Sequence, residues 1–355
     1  MQSIQANGYP ILFSEIGYAY LNTFIEENKY SNIFILVDTH SNEYCLSRFL
    51  PYLATGKNIE IIEIEAGESE KNISTCVEIW SILTELGGDR KTLMINVGGG
   101  VITDIGGFVA STFKRGIDFI HVPTTLLAMV DAAVGGKNGV DLGSLKNQIG
   151  VINVPKMILI DTDYLSTLPQ NEMRSGLAEM LKHGLIFDAG YWSEFRNLGE
   201  ADFADFDGLI YRSIEIKNEI VMQDPTENGI RKALNFGHTL GHAIESYFLE
   251  SENKKALLHG EAIAAGMILE SYISWQKKLL SAAEYLEIKN AINAVFETIV
   301  FEENDLSPIL DLLIHDKKNE YGKIQFALLD GIGNIKINQE VENELIIKSF
   351  ADYKC

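Results

Sequence analysis

The chain has 355 residues, 46% of them hydrophobic and 22% charged, a mixture that excludes disordered and collagen-like classes and allows about two domains. Its 50 acidic and 29 basic side chains give a net charge of -21, which argues against a protein that tracks a nucleic-acid backbone on a broad basic surface. The field of the whole molecule repels anions, so any anionic ligand must be held by a few concentrated cations.

The first segment, Met1 to Phe13, has neither a basic start nor the roughly 7 to 15-residue apolar core of a secretion signal. No stretch approaches the roughly 18 apolar residues of a membrane span. Cys45, Cys76 and Cys355 are too few and too scattered for a disulfide framework or a thiolate zinc site. A cytoplasmic chain with no membrane partner is expected. Short β-branched runs then follow at Asn32–Val37, Ile59–Ile64, Thr92–Val97, Phe119–Val122 and Met157–Ile160, separated by segments of helical length. This rhythm predicts strand, helix, strand units and a parallel sheet, in an order that such short runs cannot fix. After Leu168 and Pro169 the strand signals stop. Helical patterns take over at Glu172–Leu185, Leu209–Val221, Ala233–Phe248 and Gly260–Trp275. The expected organisation is an α/β domain over residues 1–168 and a mainly α-helical domain over 169–355.

The run Thr92–Val97 leads into Gly98-Gly99-Gly100, then Val101 and Asp104, with a second glycine pair at Gly106 and Gly107. Consecutive glycines after a strand let backbone N–H groups approach a pyrophosphate, and a following helix adds its positive end. The segment is therefore a dinucleotide-binding candidate. Asp38, closing the run Ile33–Val37, stands where an acidic residue meets ribose hydroxyls in such folds, and equally where a turn or cap residue would.

Two of seven histidines lie four residues apart in Gly237-His238-Thr239-Leu240-Gly241-His242, with Glu245 one turn on. On a helix, positions 238, 242 and 245 share a face. Gly237 and Gly241, read as mid-helix glycines, suggest close approach of another element. His259 opens the next helical pattern, and Glu179 and His183 lie on an earlier one. Histidines and a carboxylate from three helices make a plausible open zinc site, although spacing does not select among Glu179, His183, His238, His242, Glu245 and His259.

Taken together, several segments resemble the 3-dehydroquinate synthase family of sugar phosphate cyclases. They are Gly98-Gly99-Gly100-Val101-x-x-Asp104, Val122-Pro123-Thr124-Thr125 through Asp131, Gly135-Gly136-Lys137 and Lys146-Asn147-x-Ile149-Gly150. Ala178-Glu179-x-x-Lys182, Leu234-Asn235-Phe236-Gly237-His238 through Glu245, His259-Gly260-Glu261-Ala262 and Asp316-Lys317-Lys318 continue the series. The resemblance implies a Rossmann-like N-terminal domain, a helical C-terminal domain, and conversion of 3-deoxy-D-arabino-heptulosonate 7-phosphate to 3-dehydroquinate and phosphate. It further implies NAD reduced and reoxidised within a turnover, and one divalent metal, zinc first and cobalt second. Glu179, His238 and His259 would be the ligands, with His242 exchanging protons with substrate and His183 a packing residue. NAD would meet Asp38, Glu68, Lys71, the turn Gly99-Gly100-Val101 to Asp104, Thr124, Thr125, Lys137, Lys146 and Thr167, with Asp131 and Lys137 where nicotinamide and substrate meet. Arg115, Lys137, Lys182, Lys217, Arg231 and Lys317 would supply the demanded cations, with Asn147 and Asn235 as neutral partners.

The family also implies a homodimer, with Arg115 serving the neighbouring subunit. Between Lys137 and Lys146 the chain departs from the usual family pattern, so an altered loop beside an intact site is expected. The competing readings are another sugar phosphate cyclase, whose substrate lacks a carboxylate, and a metal-dependent polyol dehydrogenase. A catalytically dead NAD-binding or scaffold protein of the same fold is disfavoured because the named ligand and proton-transfer residues are all present.

Overall fold

Strands covered on both faces must be apolar on both sides, and the central runs of this chain meet that condition. In the computed structural model, which describes residues 2–143, 145–196, 206–314 and 324–354, the chain divides into two compact units, Met1–Pro169 and Gln170–Cys355.

In the first unit β1 (Ile4–Gln5), β2 (Pro10–Phe13), β3 (Ile33–Asp38), β4 (Ile59–Ile64), β5 (Leu93–Gly98) and β6 (Asp118–Pro123) precede a hairpin of β7 (Lys137–Leu142) and β8 (Leu145–Ile152), and β9 (Ile158–Ile160) follows. Among the described residues they form a seven-stranded sheet in the order β1-β2-β9-β6-β5-β3-β4, parallel except for the β1–β2 pair. All of β5 is buried. Ile79 and Leu83 of the helix Ile73–Glu85 and Ile105 and Val109 of the helix Gly100–Thr112 cover Phe34, Leu36 and Met94 of the sheet.

Because β3, β5 and β6 run parallel, their carboxyl ends share one edge. Asp38, Gly98 and Thr124 therefore come to the same rim, where Thr124 N–H donates to Gly98 O at 2.9 Å. The glycine pair inside the helix Gly100–Thr112 serves packing: a Cβ on Gly107 would lie 1.8 Å from Asn138 Oδ1. Asn138 Nδ2 in turn donates to Gly136 O at 3.0 Å and Asn153 O at 2.8 Å, so the glycine gap seats the hairpin. Beneath it Asn96 Nδ2 faces His121 Nδ1 at 3.2 Å. Burial pushes the His121 imidazole down to about 3, so it is neutral at physiological pH.

The second unit is built on the helices Gln170–Phe187, Phe206–Gln223, His238–Glu250 and His259–Gln276. His259–Gln276 is buried nearly all round, as a central helix should be. Three expectations are corrected. The helical pattern from Ala233 does not form one helix: a 3-10 turn spans Ile230–Asn235, and the α-helix starts at His238 after Gly237, which has φ +77°. Apolar spacing continues across the break, so periodicity could not reveal it. Gly237 accordingly lies outside the helix, although the close approach holds: a Cβ on Gly266 would lie 2.0 Å from Gly237 O. The second unit also contains a hairpin, β10 (Gln325–Leu329) with β11 (Ile335–Glu340); its short apolar run, Gln-Phe-Ala-Leu-Leu, fits strand and helix equally. Finally, the stretch between Lys137 and Lys146, expected as an altered loop, falls within the β7–β8 hairpin. Among the described residues, no helix is long and apolar enough to cross a membrane.

The contact between Gly237 and Gly266 is backbone against backbone, so an added methyl must part the two helices. Gly266→Ala is expected to destabilise the fold by about 1 to 3 kcal/mol, read as a lower urea midpoint at constant slope. An unchanged midpoint would mean that the helices separate freely.

Candidate active site

In the second unit Glu179 occupies the middle of the helix Gln170–Phe187 with 0% of its surface exposed. A carboxylate in such a place needs cations or strong donors around it. Lys182, on the same helix, forms an ion pair with Glu179 Oε2. His259 is the first residue of its helix, and the next one, Gly260, abuts the Glu179 helix: its N–H donates to Ser175 Oγ at 2.9 Å, and a Cβ there would lie 2.3 Å from Ser175 Cα. This contact delivers His259 Nε2 to 3.6 Å from Glu179 Oε1. His238, opening the third helix, brings its Nε2 to 3.4 Å from the same oxygen.

The far side of each ring is also engaged. His238 Nδ1 lies 3.1 Å from Phe236 O, and since a carbonyl only accepts, Nδ1 holds the proton and Nε2 of the neutral ring keeps a lone pair. His259 Nδ1 lies 3.1 Å from Glu245 Oε2. Glu179, His238 and His259 thus form a group whose donor atoms all lie within 4.8 Å of one another, and His242, Glu245 and His259 form a second, overlapping group. The His242 ring is 5.1 Å from that of His238 and 5.8 Å from that of His259. Burial opposes charge on His259, but the hydrogen bonds and charges of Glu179 and Glu245 prevail and push it up to about 10. His183 Nδ1 lies 2.7 Å from Ser213 Oγ in the core.

Two further cations are buried in this unit, Lys217 and Arg231. Arg231 Nη1 donates to Pro225 O at 2.7 Å. Its backbone N–H, with those of Asn228 and Gly229, donates to the Asp224 carboxylate. Burial opposes ionisation of Asp224, yet these N–H groups and the Arg231 charge hold its pKa below the usual carboxylate value. Asn235 Nδ2 donates to Glu227 Oε1 at 3.1 Å. Lys317 lies outside the described residues.

In the first unit the glycine turn is a strand-to-helix junction: Gly99 is the N-cap of the helix that begins at Gly100 and continues through Val101 and Asp104. A Cβ on Gly99 would lie 3.0 Å from Thr125 Cγ2, and Thr125 Oγ1 accepts from Ala128 N–H at 3.2 Å. Asp38 fills the capping role, its carboxylate accepting from Ser41 N–H. The charged string at 66–71 is tied down by ion pairs. Lys71 is buried and pairs with Asp104 at 2.6 Å. Lys146 bridges Glu68 at 2.8 Å and Asp141 at 3.3 Å. Burial works against charge on Lys71, but Asp104, Glu68 and Asp141 raise its pKa, so it stays protonated.

Asp141 is the member of this cluster that neither the residues by themselves nor the resemblance singled out; its signal was an acidic residue in the departure between Lys137 and Lys146. Asn147, at φ +52°, donates its N–H to Asp141 Oδ1 at 2.6 Å. Asp131 lies in the turn Ala128–Ala132, and exposed Lys137 opens β7. Thr167 is exposed, its hydroxyl donating to Tyr164 O at 3.2 Å. Arg115 is exposed on the turn after the helix Gly100–Thr112, at φ +70°.

Comparison with known proteins places these arrangements in a family. The profile described as 3-dehydroquinate synthase N-terminal matches residues 61–175, and its C-terminal counterpart matches 176–319. The chain is 40% identical over 336 residues to 3-dehydroquinate synthase of Parabacteroides distasonis, covering 94% of each chain. Among solved structures it is similar to a 2-deoxy-scyllo-inosose synthase complexed with carbaglucose-6-phosphate, NAD+ and Co2+, at a TM-score of 0.83 and 25% identity over 99% of both chains. It is also similar to a 2-epi-5-epi-valiolone synthase from Streptomyces hygroscopicus with NAD+ and Zn2+ bound, at a TM-score of 0.84 and 25% identity over 100% of this chain and 99% of that one. With both profiles matched and a 3-dehydroquinate synthase 40% identical over 94% of the chain, the chain belongs to the 3-dehydroquinate synthase family.

Proposed function

We propose that the chain converts 3-deoxy-D-arabino-heptulosonate 7-phosphate to 3-dehydroquinate and phosphate. In this reading residues 1–168 bind NAD and residues 169–355 hold a divalent cation, zinc before cobalt, on Glu179, His238 and His259. The supporting observation is the donor set itself: two imidazole nitrogens, at 3.4 and 3.6 Å, face one oxygen of a fully buried carboxylate. Nitrogen and carboxylate donors of this kind suit zinc, and three of them leave a position for substrate. When bound, the two groups supply hydride acceptance and return, and polarisation of a substrate oxygen.

The residues of the chain supply the rest. The backbone N–H groups at Gly99, Gly100 and Val101 and the helix they open take the pyrophosphate of the dinucleotide, while Asp38 takes a ribose hydroxyl. Buried Lys217 and Arg231 pair with substrate anions, and Arg231 is suited to a two-pronged grip. His242, beside the ligand rings and only partly buried, exchanges the proton of a reacting hydroxyl. We also place the enzyme in the cytoplasm as a homodimer, with Arg115 reaching the site of the neighbouring subunit. The likeness to a cyclase that was solved with carbaglucose-6-phosphate makes a carboxylate-free sugar phosphate the second reading. The 40% identity to a 3-dehydroquinate synthase over 94% of the chain favours the carboxylate-bearing substrate.

Phosphate release from 3-deoxy-D-arabino-heptulosonate 7-phosphate should be catalysed with NAD present, without lasting NADH absorbance, and should stop on chelation. Turnover of a carboxylate-free sugar phosphate alone would favour the second reading, and steady NADH accumulation would make the protein a dehydrogenase. His242→Ala should retain cation and NAD while turnover falls by about 10²-fold or more; loss of cation would make His242 a ligand instead.

The raised pKa of His259 sets a pH dependence. In the metal-free chain, its charge contributes stability that is complete below its ordinary value near 6.5 and is lost as pH rises through about 10. A cation must displace that proton, so its apparent affinity should rise about tenfold per pH unit between pH 7 and 9, with about one proton released. Calorimetry in buffers of different ionisation enthalpy reads this directly; zero release in that range would contradict it.

A further inference from the structure

The helix that presents His238 and His242 has an unusual start. Its N-cap, Gly237, has φ +77°, and a Cβ on it would lie 2.5 Å from Met267 Cγ. The common remedy for the unsatisfied N–H groups of a first turn is a Ser, Thr, Asp or Asn at the N-cap, and this position admits only glycine. The acceptor comes from a different helix. Glu270, 0% exposed in the middle of His259–Gln276, accepts from Gly237 N–H through Oε2 at 2.7 Å and from Leu240 N–H through Oε1 at 3.1 Å. The two bonds straddle His238.

We propose that Glu270 is a positioning residue for the cation-ligand cluster, clasping the turn of His238 to the helix that carries His259. A single rigid helix then bears both His259 at its first residue and, about three turns on, the carboxylate that fixes where the His238 backbone lies. The close contacts of Gly266 with Gly237 O, at 2.0 Å from a built Cβ, and of Gly241 with Ile263 Cδ1, at 2.8 Å, leave the two helices no slack. The carboxylate supplies the directional part, because a negative charge on first-turn N–H groups gains both from charge-assisted hydrogen bonds and from the helix dipole. Packing alone would not set the rotation of the helix start, and rotation is what aims Nε2 of His238 at Glu179. Glu270 itself is not a ligand in this assignment.

The assignment rests on the reading of Glu179, His238 and His259 as cation ligands. The test is titration of the metal-free full-length chain with Co2+, following visible absorption, for the wild type, Glu270→Gln, Glu270→Asp and Ile273→Val. Ile273 is a fully buried residue on the same helix and serves as a packing control. Glu270→Gln turns an N–H donor toward one of the two backbone donors, and Glu270→Asp keeps the charge but withdraws it by one methylene. Both are expected to bind Co2+ about tenfold or more weakly, with a changed ligand-field spectrum, while circular dichroism remains that of the wild type. Ile273→Val should lower Tm and leave affinity and spectrum as they are.

If Glu270→Gln does not fold, Glu270→Asp decides by the same two readings. Folded Glu270 variants with wild-type affinity and spectrum, whatever their Tm, would overturn the assignment and leave Glu270 a plain helix cap. Failure of the wild type itself to take up Co2+ would overturn the ligand reading beneath it, and the assignment with it.

Discussion

A carboxylate with no exposed surface organises the second unit. Glu179 is far from water, and an ionised carboxylate there is tolerable only if positive or strongly donating groups surround it. Lys182 meets one oxygen; His238 and His259 converge on the other. Each of those partners makes demands of its own. His259 needs its helix start pressed against Ser175, His238 needs the break at Gly237, and both rings need an acceptor behind Nδ1, provided by Glu245 and Phe236 O. The glycines in these helices follow from the same requirement, since the backbones must come close enough for side chains on three helices to meet.

The same logic applies to buried cations in an acidic protein. With a net charge of -21, distant charges repel an approaching anion, but beyond roughly 8 to 10 Å salt screens exposed charges at physiological strength. Lys217 and Arg231 are buried, where screening is weak, and the Asp224 carboxylate accepts backbone N–H groups around Arg231. In the first unit the cations Lys71 and Lys146 are matched by Asp104, Glu68 and Asp141. There the charges hold loop, helix and hairpin together.

Much of this was legible beforehand. Five strands read from β-branched runs coincide closely with β3, β4, β5, β6 and β9, and in all but the edge strand β4, burial on both faces of a parallel sheet demands such runs. The shared face of His238, His242 and Glu245 follows from helical spacing, and the order of motifs along the chain sufficed for the family. The hairpins were hidden for an equally physical reason: Lys137–Leu142 is polar and Gln325–Leu329 short, so neither carries a period that separates strand from helix.

What the sequence determined by itself was local: which stretches alternate, where glycines permit a backbone to come close, and which residues share a helix face. The tertiary structure alone decided the strand order, the break between Asn235 and His238, the pairing of Lys71 with Asp104, and the meeting of Glu179 with His238 and His259. It alone brought the Glu270 carboxylate to the N–H groups of Gly237 and Leu240. Periodicity reports on neighbours three or four residues apart, whereas these contacts join elements far apart in the chain, and only packing determines which faces meet.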